Sequence, residues 1–157
     1  MTETAVLPFE PRRARGFRDL NIAWVERYFG AEAKDFELLD DPEGRIIAKG
    51  GAILIAEDRT GTAIGCVALV PIGDDVLELA KMAVADHVQG QGIGRLLLEA
   101  AVAKARTLGA RALYLESNSS LEPALRLYER AGFRHLPPGE RPRSPYRRCD
   151  VYMRLEL

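Results

Sequence analysis

The stretch Glu78–Arg95, ELAKMAVADHVQGQGIGR, decides how this chain is read. A β-prone apolar run ends at Val84 and a short polar loop follows. The turn Gln89-Gly90-Gln91-Gly92-Ile93-Gly94 then opens the strongest helical pattern in the chain, Gly92–Leu108. Ile93, Leu96, Leu97, Ala100, Ala101, Ala103 and Leu108 are available for packing, and Gly109 stands where a glycine ends a helix. A strand that passes through glycines into a helix start has the parts of an anion site. The first amides of a helix have no internal acceptor, its dipole favours negative charge there, and glycines let a phosphate come close to the backbone. Arg95 falls in the first turn, where a cation is disfavoured unless an anion is bound nearby.

Two common phosphate binders are excluded. A dinucleotide fingerprint needs G-x-G-x-x-G, but the third glycine falls on Arg95 counted from Gly90 and on Leu97 counted from Gly92. A triphosphate loop needs Gly-Lys-Ser/Thr, which occurs nowhere in the chain. A tight strand-to-helix connection without a ligand is the plain alternative.

Upstream, Ala52–Glu57 and Ala63–Ile72 are apolar runs joined by Asp58–Thr62, a hairpin pattern, and the turn Gly73–Asp75 leads into a strand Val76–Val84. Downstream the pattern predicts a strand Ala112–Glu116, a helix Leu121–Arg130, and last strands Phe133–Leu136 and Cys149–Leu157. Toward the N-terminus it predicts a short strand near Ala5–Phe9, a helix capped by Asp19 and running to about Phe29, a second helix Ala31–Asp40, and a helical turn near Arg45–Lys49. Glu10–Arg18 and the proline-rich Pro137–Arg148 read as loops. This order implies an α/β (α+β) fold, with a mixed, mostly antiparallel central sheet flanked by helices.

The 157 residues suit one domain, 1–157, with 47% apolar and 29% charged residues and a net charge of −1. That balance gives no field to draw the chain onto nucleic acid or an anionic membrane. Cys66 and Cys149 are too few for a disulfide framework, and Cys66 reads as a buried thiol. The cysteines and the histidines, His87 and His135, form no metal-ligand spacing, so no metal is expected. No apolar run approaches the roughly 20 residues of a membrane span and the N-terminus lacks an apolar signal core, so the expected location is the cytosol.

Gln89–Gly94 resembles the Q/R-x-x-G-x-G/A signature of the GNAT superfamily of acyl-CoA-dependent N-acetyltransferases. Ala124–Phe133, ALRLYERAGF, resembles that family's A-x-x-L-Y-x-x-x-G-F ending. The resemblance spans about Ala52–Phe133. It implies a GNAT-like sheet whose central strands splay apart, acetyl-CoA as co-substrate, and an amine acceptor, either a small molecule or a peptide or protein amine. It also implies that the amides of Gln89, Gly90, Gln91, Gly92, Ile93, Gly94 and Arg95 hold the pyrophosphate. Met82, Ala83 and Val84 would run beside the pantetheine arm, with an oxyanion donor near Ala83 or Val84. Asn118 matches an arm contact, and a turn or helix-start role is its alternative. Many members dimerise through late strands, which leaves a homodimer open.

Tyr128 matches the family's L-Y tyrosine, which the resemblance places near the sulfur. A phenol there can protonate a leaving thiolate, which makes Tyr128 the catalytic acid candidate, though many members instead use this tyrosine to position the thioester. It also shares a face with Leu121, Ala124 and Leu125, so a core aromatic is the alternative. Glu78 is the base candidate that would take a proton from the substrate ammonium. In a regular strand it shares the face of Ala80, Met82 and Val84, and an exposed strand residue is its alternative. Phe29, Glu32 and Tyr146 are candidate acceptor-site residues, with Trp24 and Tyr28 possible neighbours that could equally pack on the sheet. Glu32, Asp35, Glu37 and Asp40 make the second helix acidic, which could hold a cationic amine; a solvated face explains the pattern equally. Two arginine clusters, Arg12, Arg13, Arg15, Arg18 and Arg141, Arg143, Arg147, Arg148, could meet the coenzyme's 3′-phosphate, an acidic substrate or nucleic acid. The reading is an acetyl-CoA-dependent N-acetyltransferase acting by direct attack in a ternary complex. A non-catalytic acyl-CoA-binding or sensing module is the alternative.

Overall fold

Each apolar run of the sequence becomes a strand or a helix face in the computed structural model, which describes residues 3–157. The strands are β1 (Ala5–Pro8), β2 (Ala52–Glu57), β3 (Ala63–Gly73), β4 (Val76–Val84), β5 (Ala112–Ser117), β6 (Arg134–His135) and β7 (Val151–Glu156). The α-helices are α1 (Ala14–Tyr28), α2 (Ala33–Asp40), α3 (Ile93–Thr107) and α4 (Glu122–Arg130). The strands form one sheet in the order β1-β2-β3-β4-β5-β7-β6. Only β4 and β5 run parallel, because α3 lies between them in the chain and returns it to the same end; the other pairings are antiparallel. This is the mixed, mostly antiparallel sheet expected from the element order.

Alternation along the strands divides the core between two faces. On one face Leu77, Leu79, Leu113, Leu115 and Met153 pack with Leu97, Leu98 and Ala101 of α3. On the other, Ile53, Ile55, Cys66, Ala68 and Ala83 meet Phe17 of α1 and Leu39 of α2. A smaller cluster of Val76, Ala112, Tyr114 and Leu136 continues that second face beneath the late loop. Each fully buried large aliphatic side chain contributes about 1.5–3 kcal/mol.

The structure corrects three local expectations. The arginine-rich segment Glu10–Arg18 is not a loop: a 3₁₀ turn, Pro11–Arg13, leads directly into α1. Phe17, Asn21 and Val25 recur every four residues as its buried stripe, and the surrounding arginines mask that period in the sequence. The predicted strand Phe133–Leu136 shrinks to Arg134–His135, because Phe133 and Leu136 turn into the core. The third correction concerns β4. One β3 residue, Val67, faces two β4 residues, Lys81 and Met82, between the pairs Cys66–Ala83 and Ala68–Ala80. This bulge shifts the alternation, so Glu78 shares the α1/α2 face with Ala80, Lys81 and Ala83, while Met82 and Val84 pack on the α3 side. Among the described residues no helix is long and apolar enough to cross a membrane.

Candidate active site

The site is centred where β4 and β5 part. Their pairing covers only Val76–Ala112, Leu77–Leu113 and Glu78–Tyr114. Beyond it β4 continues to Val84 and β5 to Ser117 without pairing to each other. On that side the backbone of Met82, Ala83 and Val84 is left without a strand partner. The parting leads toward the glycine turn at the end of β4.

That turn has an open backbone. Gly90 and Gly92 both adopt φ +82°, a conformation costly for residues with a Cβ, and a Cβ added at either would meet no atom within 4 Å. Gly92 caps α3 without any side-chain bond. The amides of Ile93, Gly94 and Arg95 in the first turn of α3 have no upstream helical carbonyl. Gly94 lies close to β4, since an added Cβ would come within 3.3 Å of Met82 Cε. The exposed side chains of Gln89 and Arg95 point to local partners, Gln89 to the Val84 carbonyl and Asp86, Arg95 to Glu99. An open backbone cradle at a helix N-terminus fits the pyrophosphate of coenzyme A.

Tyr128 lies on α4, in the α3-side core, with 8% of its surface exposed. Its ring meets Phe133 edge-on at 5.9 Å. Among the described residues none hydrogen-bonds its hydroxyl. Burial pushes the phenol up to about 12, so it keeps its proton throughout the physiological range. Asn118 is engaged on both sides: its Nδ2 donates to the Arg148 carbonyl of the late loop at 2.6 Å, and its Oδ1 accepts from the Ser120 amide and hydroxyl of its own turn.

Glu78 sits on the opposite face, at the last paired position before the strands part. Burial, and then the negative charge of Glu116, raise its carboxyl to about 7, with Lys81 pulling the other way. Among the described residues no hydrogen bond holds the Glu78 carboxylate. Glu116 is held at the end of β5 by two hydroxyls: Tyr114 Oη donates to Oε2 at 2.8 Å and Ser144 Oγ to Oε1 at 2.6 Å.

A part-buried ionic cluster around the buried Asp35 forms the outer wall. Lys81, at φ +55° in the bulge, carries its side chain toward α2. Its Nζ donates to Asp35 Oδ1 at 2.8 Å and to Tyr146 Oη at 3.0 Å. Arg148 grips the same carboxylate with Nη2 at 2.6 Å and Nη1 at 3.0 Å, and reaches Glu32 at 3.2 Å. The Tyr146 ring lies between the cations, 4.3 Å from Arg148 and 4.9 Å from Lys81. Asp35 and Glu32 also close a capping box at the start of α2. Burial would raise the Asp35 carboxyl, but bonds from Arg148 and Lys81 outweigh it and hold it at about 2. Burial lowers Lys81 despite Asp35.

The structure therefore brings Glu32, Tyr146 and Phe29 together around Arg148, whose guanidinium lies 5.9 Å from the Phe29 ring. Trp24, Tyr28 and Phe29 meet one another with tilted rings, and Trp24 also packs against the core of the α1/α2 face. The acidic α2 is not a uniformly solvated face, because Asp35 is buried; Glu37 pairs with Lys34 and Asp40 with Arg18. Within the arginine clusters, Arg13 is buried against Glu57 and Glu10, Arg15 meets Asp19, and Arg148 belongs to the wall. Sequence reasoning missed Lys81, Tyr114, Glu116 and Ser144. The available signals were a single lysine in an otherwise apolar strand segment and a glutamate at a strand end. A cavity of about 400 Å³ lies at the start of β4, at the far end of that strand from the glycine turn, with Arg111, Arg141 and Tyr114 among its walls.

Comparison with known proteins agrees with this geometry. Residues 17–133 match the model of the acetyltransferase (GNAT) family. An uncharacterised N-acetyltransferase of Schizosaccharomyces pombe is 35% identical over 108 residues, 68% of this chain; the chain spans 64% of that relative's length. The Escherichia coli N-acetyltransferase YjgM is 33% identical over 122 residues, 73% of each protein. A GNAT-family acetyltransferase from Staphylococcus aureus superposes with a TM-score of 0.89 at 17% identity, covering 99% of both chains. The Salmonella typhimurium protein yncA, solved with its cofactor acetyl-CoA, superposes with a TM-score of 0.77 at 20% identity, covering 99% of this chain and 94% of that one. At these identities the structural likeness is one of fold.

Proposed function

Because the chain belongs to the acetyltransferase (GNAT) family, we propose that it transfers an acetyl group from acetyl-CoA to a primary amine by direct attack in a ternary complex, with residues 1–157 acting as one acetyltransferase domain. The observation that carries the proposal is the parting of β4 and β5, with Glu78 on one face of the sheet and Tyr128 in the core of the other. Acetyl-CoA supplies a thioester whose C–S bond breaks as the amine's lone pair forms the new N–C bond. The amides of Gln89–Arg95 hold its pyrophosphate in this reading, and Met82, Ala83 and Val84 offer backbone groups to its arm.

The remaining chemistry belongs to side chains. An amine is an ammonium at neutral pH and cannot attack until it loses a proton. Glu78, raised to about 7, is poised to take that proton near neutrality. Tyr128 keeps its hydroxyl proton and can give it from Oη to the departing sulfur, and the phenolate so formed is restored by the second proton that the acylated nitrogen sheds. Cys66 is pushed up to about 12 by burial, so its thiol is a poor nucleophile, which supports direct transfer over a cysteine intermediate. Phe29, Glu32 and Tyr146 form the acceptor wall, fixed by Arg148 and Lys81. The bonds of Asn118 to Ser120 in its own turn and to the Arg148 carbonyl of the late loop favour a structural role for it over an arm contact.

The test is thermal unfolding with and without acetyl-CoA, followed by thiol release with a panel of primary amines. Stabilisation and amine-dependent thiol release support the proposal. Stabilisation without turnover across the panel supports a sensing module instead.

A further inference from the structure

The proposed acceptor site carries an imbalance of charge that bears on what it can admit. Its two part-buried cations are already paired, since Lys81 and Arg148 both bind Asp35 and Arg148 also reaches Glu32. Glu116 differs. Its carboxylate is held by two neutral hydroxyls, Tyr114 and Ser144, and among the described residues no lysine, arginine or histidine pairs with it. The Tyr114 bond is within β5, whereas the Ser144 bond ties the carboxylate to the late loop, so Glu116 is fixed from two sides. It lies two residues beyond the Glu78–Tyr114 pair, on the same face of β5 as Tyr114.

We infer that Glu116 is a specificity-determining residue: it admits amines whose reacting nitrogen has no neighbouring carboxylate and turns away α-amino acids. The inference rests on the acetyltransferase reading above. An ammonium that approaches Glu78 gains from the fixed negative charge beside it. The α-carboxylate of an amino acid stands two bonds from the reacting nitrogen and would be carried into the same field. Lys81 and Arg148, the cations of the wall, are committed to Asp35. Like charges brought together in a partly desolvated site repel, so discrimination of more than about tenfold in kcat/KM, about 1.4 kcal/mol, is expected.

Glu116 also acts through Glu78. The charged and titratable groups facing Glu78 are Glu116 and Tyr114 on β5, Lys81 on β4 and Tyr146 in the late loop, with Asp35 and Arg148 behind Lys81. Of these, Glu116 is the group whose charge opposes ionisation of Glu78 most. Neutralising it lets Glu78 lose its proton at lower pH.

The experiment compares matched acceptors with acetyl-CoA and the full chain: tyramine against tyrosine, histamine against histidine, and tyrosinamide as an arm that keeps the bulk of the α-substituent without its charge. The expected result is turnover of the amines and the amide, with the amino acids more than about tenfold poorer in kcat/KM. Glu116→Gln should narrow that gap and move the acid limb of the kcat/KM profile to lower pH. Amino acids used as well as their amines by the unaltered protein overturn the inference, as does a Glu116→Gln variant in which both the gap and the acid limb stay unchanged. If no amine of any kind is acetylated although acetyl-CoA binds, the acetyltransferase reading fails, and this inference with it.

Discussion

Replacing Asp35 with asparagine removes one negative charge from the centre of the outer wall and almost no volume. The side chain of Asp35 is 3% exposed and that of Lys81 7%, so solvent cannot replace the lost carboxylate. The asparagine keeps an oxygen for the Glu32 amide, so the start of α2 retains its capping bond. What changes is that Lys81 and Arg148 lose their shared anion. Removing one partner of a buried ion pair costs about 3–5 kcal/mol, because the remaining charge is left uncompensated. An independent route gives a similar scale. The Asp35 carboxyl is held at about 2 against a reference of 3.8, which corresponds to about 2 kcal/mol of stability favouring the ionised form. The pH dependence follows from the direction of that shift. A carboxyl whose folded value lies below its unfolded value stabilises fully above about pH 4 and loses that contribution as pH falls toward 2. Urea unfolding of the two proteins, followed by circular dichroism, should therefore show a deficit of about 3–5 kcal/mol at pH 7. By temperature this is roughly 6–20 °C for a chain of this size. The gap should close in acid as the native Asp35 protonates. It should also narrow at high pH, where Lys81, already lowered by burial, sheds its proton in the variant. A triple replacement Asp35→Leu, Lys81→Met, Arg148→Met should recover most of the loss, since apolar packing replaces buried ions at little net cost. A deficit below about 1 kcal/mol at pH 7, or one that does not change with pH, would refute the account of this wall as a desolvated ion network.

Three further outcomes test the site. Gly92→Val should weaken acetyl-CoA binding measured by calorimetry while costing only about 1–2 kcal/mol of stability, the strain of a left-handed residue with open space around it; unchanged affinity would remove the phosphate role of the turn. Tyr128→Phe should lower kcat by about 10²–10⁴-fold with acetyl-CoA affinity unaltered, the scale of lost acid catalysis, and unchanged kcat would leave Tyr128 a packing residue. Glu78→Gln should abolish the rise of kcat/KM with pH near 7. Because a carboxyl raised by burial loses stability as pH climbs from its unfolded value through its folded one, the same variant should be more stable than the unaltered protein at pH 8 by roughly 1–3 kcal/mol. If the pH profile is retained, another group is the base.

What the linear chain determined by itself was local. Alternation and helical period placed the hairpin of β2 and β3, the long α3 and the amphipathic α4, because burying one face of an element leaves a repeat within a few neighbouring residues. The glycine turn was legible for the same reason: φ near +82° at residues 90 and 92 is a backbone demand, and glycine meets it without a Cβ. The start of α1 was not legible, because its buried stripe of Phe17, Asn21 and Val25 is diluted by arginines whose partners lie elsewhere in the chain: Arg13 meets Glu57, Arg18 meets Asp40. The face on which Glu78 sits was decided by the bulge at Lys81, where one residue of β3 opposes two of β4. A bulge adds a residue without altering local hydrophobicity, so alternation alone carries past it in the wrong phase. The wall itself joins positions 35, 81 and 148, and the Glu116 hold joins 116 to 144. Such ionic and hydroxyl contacts have no period and no fixed spacing. They exist because folding removes these groups from water, and only the tertiary structure decides which partners replace it.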